Sequence, residues 1–105
     1  MRVWQDDDVE KNHHRESMKK KNLEKMLKAL ANRRRLAMLA YLKEAKKANV
    51  NAVAKELRVS AKTASRNLVI LERAGIVEKE PWHQHVIYRL TKSPRPFVND
   101  VFLEI

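Results

Sequence analysis

The chain has 105 residues, with 23 Lys+Arg against 13 Asp+Glu for a formal net charge of +10, 44% hydrophobic residues and no cysteine. A chain of that size closes one core without disulfides or metal, and the missing thiols exclude thiolate zinc sites, iron–sulfur ligation, thiol nucleophiles and a disulfide framework. A single glycine excludes Walker and Rossmann phosphate loops and glycine-rich all-β folds, and points to helices joined by short connections.

Residues 1–17 show no sustained period and read as a flexible arm or a frayed helix. Asp6, Asp7 and Asp8 close behind Arg2 leave no room for the apolar stretch of a secretory signal. No apolar run reaches the roughly 18 residues of a membrane span, so a cytoplasmic protein is expected. From Leu23 the apolar residues Leu23, Met26, Leu27 and Leu30 follow the spacing of one helix face and predict a first helix near 18–31. Asn32 is placed to cap a second helix, in which Leu36, Leu39, Ala40 and Leu42 or Lys43 continue the period until Lys46–Asn49 ends it. Arg33, Arg34 and Arg35 fall in its first turn, where cations oppose the helix dipole unless an anion such as a phosphate lies nearby.

Asn51 is expected to cap a short helix, Ala52 to Leu57, with Val53, Ala54 and Leu57 inward and Arg58–Val59 as the turn. Ser60 then caps a helix from Ala61 to about Ala74, which Gly75 stops in the left-handed region. Ala64, Leu68 and Leu71 form its buried stripe, leaving Lys62, Thr63, Ser65, Arg66 and Asn67 mainly outside. Two short helices joined by a tight turn, the second with small polar and basic residues on its open face, make a helix-turn-helix. Beyond Gly75, Ile76–Glu80 and His85–Leu90 read as strands joined by Pro81-Trp82-His83-Gln84, which is a wing. After Ser93-Pro94-Arg95-Pro96, the residues Phe97, Val98, Val101, Phe102 and Ile105 predict a last short amphipathic helix.

The fold class is therefore mainly α with a small β-hairpin, in the order α-α-α-α-β-β-α, a winged helix-turn-helix. Its parts are an arm over 1–17, the domain over 18–92, and a closing helix over 93–105 that offers a dimerisation segment. The charge has an address within this order. Residues 1–22 carry six basic and five acidic side chains, 23–92 carry sixteen and six, and 93–105 carry one and two, giving +1, +10 and −1. A basic folded middle calls for a polyanion partner.

Four pieces of sequence carry a family resemblance. They are Leu27-Lys28-Ala29-Leu30-Ala31-Asn32 with Arg35-Leu36-Ala37-Met38-Leu39, the run Ser60 to Leu68, Leu71-Glu72-Arg73-Ala74-Gly75-Ile76-Val77, and Tyr88-Arg89-Leu90. In this register the chain resembles the ArsR/SmtB-type winged helix-turn-helix repressors from about Leu27 to Leu90. The resemblance implies that the helix Ser60–Arg73 lies in the DNA major groove, that the hairpin reaches the flanking backbone and that terminal helices pair two subunits. Three positions depart from the family. Asn49 and Asn51 stand where metal-sensing members have a Cys-x-Cys pair, Arg33-Arg34 stands where the second helix commonly begins with Pro, and Glu80-Pro81-Trp82-His83 replaces a Gly-containing wing tip.

The candidate DNA-binding residues are Ser60, Lys62, Thr63, Ser65, Arg66 and Asn67 on the recognition helix, with Arg33, Arg34 and Lys79 beside it. Arg66 has the reach for a guanine edge, and Asn67 or Ser65 for a base or a phosphate. Leu23, Met26, Phe97, Val101 and Phe102 are the candidates for a dimer seam, the alternative being that the C-terminal segment folds back on its own domain. His13 and His14 sit in the arm, while His83 and His85, two apart along a strand, are expected to share one face. Two imidazoles without a thiol or carboxylate neighbour make a poor metal site, so neither metal nor cofactor is expected. No paired carboxylates, activated Ser or phosphate loop support an enzyme. The reading is a homodimeric, sequence-specific regulator of double-stranded DNA, a repressor. The alternatives are a winged-helix protein-interaction or RNA-binding module, and a small structural subunit of a larger complex.

Overall fold

A computed structural model describes the backbone of residues 6–105 and the side chains of residues 18–105. The elements are α1 (Asp6–Leu30), α2 (Arg33–Ala45), α3 (Val50–Leu57), α4 (Ala61–Arg73), β1 (Val77–Trp82), β2 (His85–Leu90) and α5 (Pro96–Glu104). This is the order expected, with three differences of detail that have physical causes.

Helix α1 starts at Asp6 and not near 18, because neither Gly nor Pro interrupts the chain before Leu30. The Glu24–Lys28 pair at 3.2 Å supports it at i,i+4 spacing. The arm expected over 1–17 lies outside the described residues for 1–5, and so do all side chains up to 17, including His13, His14 and the acidic run at 6–8. Helix α2 begins after Asn32 as expected, whose Oδ1 accepts from Arg35 N at 3.0 Å.

Helix α3 starts two positions earlier than the Asn51 cap would place it. Its cap is Asn49, whose Oδ1 accepts from Ala52 N at 2.8 Å. The cause is distant in sequence. Ala48 is held extended by a two-bond bridge to Tyr88, with Ala48 N to Tyr88 O at 3.0 Å and Tyr88 N to Ala48 O at 2.8 Å. The first asparagine after that anchor is the one free to turn the chain.

Arg58 makes the turn in the left-handed region (φ 56°) and Ser60 caps α4, its Oγ accepting from Thr63 N at 3.0 Å. Gly75 (φ 75°) ends α4 as expected, with Ile76 N bonded to Leu71 O at 3.0 Å. Strand β1 runs on through Pro81 and Trp82, which pair with Val86 and His85. The ladder tolerates Pro81 because Tyr88 spends its N–H and C=O on Ala48, so the Lys79–Tyr88 pair and, two positions on, the Pro81–Val86 pair are the non-hydrogen-bonded ones, where a missing N–H breaks no inter-strand bond. The connection is thereby only His83–Gln84, and His83 takes a positive φ of 56° to close it.

The core is built from Met38, Leu39 and Leu42 of α2, Val53 of α3, Ala64, Leu68 and Leu71 of α4, Ile76 before the wing and Val77 at its start, and Val98 of α5, all essentially without solvent exposure. Among the described residues no charged or polar side chain is fully buried. Helix α5 packs inward through Val98 and Phe102, and Lys43 of α2 caps its C-terminus, Nζ donating to Phe102 O at 2.8 Å and Ile105 O at 3.1 Å. A cation placed on the last carbonyls of a helix satisfies orphan acceptors and favours the dipole. Lys43 is therefore a structural cap.

Candidate nucleic-acid interface

Helix α4 is anchored by Ala64, Leu68 and Leu71, each fully buried, so the opposite side of its first two turns faces out by helical geometry. Lys62 and Arg66 are exposed there, and Thr63, Ser65 and Asn67 are half-buried. No acidic residue lies between Ala61 and Leu71. Arg33 and Arg34, exposed at the start of α2, line a cleft of about 430 Å³ together with Asn32, Ala37, Leu57 and Asn67. The fold thus brings the arginines of α2 beside the middle of α4.

Three of the expected DNA-binding side chains, Asn67, Ser60 and Thr63, are engaged within the protein. Asn67 Nδ2 donates to Thr63 O at 2.9 Å, and its Oδ1 accepts from Arg35 Nη1 at 3.1 Å. Ser60 Oγ accepts from Thr63 N and donates to Thr63 Oγ1 at 3.0 Å, so its first task is to cap the helix.

Arg35 turns inward, away from Arg33 and Arg34. Its Nε donates to Ala29 O at 2.6 Å and its Nη2 to Lys28 O at 3.0 Å, closing the C-terminus of α1 while Nη1 holds Asn67. One guanidinium therefore ties α1, α2 and α4 together. The spacing that marks it is legible in hindsight: an arginine five residues beyond the end of a helix reaches that helix's last carbonyls only if the chain reverses between them, as Ala31–Asn32 does.

The wing has a different character. Lys79 is exposed on β1, opposite Tyr88. Arg89 lies between Glu78 (Nη2 to Oε1, 3.1 Å) and Glu80 (Nη1 to Oε1, 2.5 Å). Glu78 also accepts from Thr91 Oγ1 at 2.9 Å and Lys92 N at 3.0 Å. The Lys92 N–H foremost, then Thr91 and Arg89, hold the Glu78 carboxyl below its ordinary value, and hydrogen bonding with Arg89 does the same for Glu80. The paired Glu80 carboxylate raises Arg89 above its own already high value, so the three charges are permanent near neutrality.

At the tip, Trp82 is 55% exposed, with the His83 ring edge-on at 4.8 Å and Lys47 Nζ 5.7 Å from the indole centroid. The expectation that His83 and His85 share a strand face does not hold. His83 occupies the turn with positive φ, and His85 opens β2 opposite Trp82. No group of three or more potential ligands comes together among the described residues.

The five dimer candidates divide. Leu23 faces out and, with the exposed Leu27, lines a shallow groove of about 410 Å³ along α1. Met26, Phe97 and Val101 are half-buried against the core, and Phe102 is 8% exposed inside it. Leu103, 70% exposed on the same helix, was not among the candidates, since its spacing falls off the predicted stripe.

A family model described as a domain of unknown function (DUF8612) matches residues 4–104. No curated protein matches the sequence. Among solved structures, the chain is 28% identical, with a TM-score of 0.75, to the homodimeric winged helix-turn-helix DNA-binding domain of a possible ArsR-family transcriptional regulator from Mycobacterium bovis, covering 99% of this chain and 85% of that one. A crystal structure of a possible transcriptional regulatory protein, also from Mycobacterium bovis, is 31% identical over 80% of this chain and 86% of that one, with a TM-score of 0.68. The transcriptional regulator HlyU of Vibrio vulnificus is 30% identical over 90% and 91%, with a TM-score of 0.65. Together with the cap, turn and wing geometry above, these likenesses place the chain in the DUF8612 family and among the ArsR-type winged helix-turn-helix proteins.

Proposed function

We propose that the chain is a homodimeric, sequence-specific regulator of double-stranded DNA, a cytoplasmic repressor that acts by binding and not by catalysis. The observation that carries this reading is the exposed Lys62 and Arg66 on an acid-free face of α4, flanked by Arg33 and Arg34 across one cleft. Backbone contacts from Arg33, Arg34 and Lys62 set the register of α4 on the duplex, and Arg66 reads a base edge in the major groove. Thr63 and Ser65 line the approach, Ser60 and Asn67 position the helix, and Lys79 is a phosphate contact from the wing. The DNA-binding, homodimeric character of the similar Mycobacterium bovis domain supports the same reading.

The seam of the dimer is α1 with the outer edge of α5. Leu23 and Leu27 are solvent-exposed on α1, Met26 on the same helix is half-buried, and so are Phe97 and Val101 on α5. Phe102 supports α5 from within. Two-fold symmetry then sets two copies of α4 about 34 Å apart, one turn of duplex, and a dimer seated across a promoter occludes it.

Selection of binding sites from a random duplex pool at about 150 mM salt, where sequence-independent charge binding is suppressed, tests the reading. The expected product is a two-fold symmetric motif with half-sites one turn apart. Enrichment of no motif, with preference for single-stranded RNA, would overturn it.

A further inference from the structure

Arg89 is the only basic residue among the described ones whose guanidinium faces two carboxylates. The two are not held alike. Glu78 is fixed from three sides, by Arg89, Thr91 Oγ1 and Lys92 N, whereas among the described residues Arg89 is the sole hydrogen-bonding partner of the Glu80 carboxylate. Glu80 is also the more open of the pair, its side chain 47% exposed against 35% for Glu78. Arg89 offers both carboxylates only its terminal nitrogens, while its Nε is buried without an acceptor.

We propose that Glu80 is a decoy for phosphate, an affinity-setting residue that keeps Arg89 out of contact with duplex DNA. This rests on the reading of the chain as a DNA-binding protein. A carboxylate and a phosphodiester present the same chemistry to a guanidinium, a pair of anionic oxygens. Arg89 therefore has to give up Glu80 before it takes a phosphate, and the exchange gains little. The wing is left with Lys79 as its one uncommitted strand cation, beside two carboxylates that repel the backbone. Phosphate contacts add affinity without sequence information. Pinning Arg89 thus holds down sequence-independent binding in a chain of charge +10 and leaves discrimination to α4.

The test is a cycle of four full-length proteins, the parent, Glu80→Gln, Arg89→Gln and the double variant, titrated against a labelled random-sequence duplex from about 50 to 200 mM salt. Glu80→Gln spares the Glu78 contacts, and thermal melting followed by circular dichroism verifies that each protein is folded. Glu80→Gln is expected to bind severalfold tighter at the low-salt end, with the log–log salt slope steeper by about 0.9, the increment of one added phosphate contact. Arg89→Gln is expected to keep the parent slope, and the double variant to lose the gain. Three results would overturn the proposal: an unchanged slope in Glu80→Gln, a gain that survives in the double variant and so reflects net charge alone, or a shallower slope in Arg89→Gln. A folded parent that binds no duplex at the low-salt end would instead overturn the DNA-binding reading itself.

Discussion

Arg66 on α4 and Arg89 on the wing carry the same charge on neighbouring elements, yet they are differently equipped. Arg66 projects from a helix whose buried face is Ala64, Leu68 and Leu71, with no acidic residue within the same stretch. Arg89 sits between two glutamates on a strand pair that ends in an exposed tip. Lys43 and Arg35 are likewise committed, to the ends of α5 and α1. The formal charge of +10 therefore overstates what is free to meet a polyanion. What matters is which cations combine exposure with freedom from an internal acceptor, and Arg33, Arg34, Lys62 and Arg66 do so around one cleft.

This contrast can be broken from beneath, from its face and from its edges. The largest effect is expected from Leu68→Ala, which opens a cavity under α4 and should lower unfolding free energy by about 2–5 kcal/mol in urea denaturation. Arg66→Ala should leave that stability within about 0.5 kcal/mol and weaken binding to a selected site by about 1–3 kcal/mol in a salt-matched shift assay. Arg35→Met, which keeps the stem and removes three donors, is expected to cost about 1–3 kcal/mol of stability and to loosen the hold on Asn67, so it should depress both readouts. Ser60→Ala removes the cap of α4 at a cost of about 1 kcal/mol, read by thermal melting.

The smallest effect is expected at acid pH. Glu78 and Glu80 have lowered pKa values in the folded chain, so their ion pairs contribute fully above the unfolded-state carboxylate pKa. That contribution is lost as pH falls through the lower folded values. Glu80→Gln should therefore flatten the acid limb of the stability profile, whereas Arg66→Ala should leave its shape unchanged.

The local punctuation of this fold was legible in the sequence. Asn32, Ser60 and Gly75 act where their side-chain chemistry or freedom of φ predicts, and the spacing of Ala64, Leu68 and Leu71 finds the buried side of α4. Long-range contacts were not. Asn49 outcompetes Asn51 because Ala48 is bridged to Tyr88, forty positions away in the chain, and Pro81 enters a strand because the register set with β2 gives it a non-hydrogen-bonded position opposite Val86. At the candidate interface Lys62 and Arg66 stand out of the helix as their spacing predicts. The commitments of Asn67 to Arg35 and of Arg89 to Glu80 depend on elements meeting in space, which no window of sequence reveals.

The Ala48–Tyr88 bridge has one more consequence, for how the protein behaves when crowded. By occupying β2 at Tyr88, it interrupts the free edge on that side and leaves β1 as the longer open edge of this small sheet among the described residues. That rim carries Lys79 and lacks a donor at Pro81. An incoming strand would meet a gap in the ladder and a fixed charge, two features that discourage edge-to-edge growth. The chain can thus expose Trp82 and Val86 at its tip without the wing becoming a seed for intermolecular β-pairing.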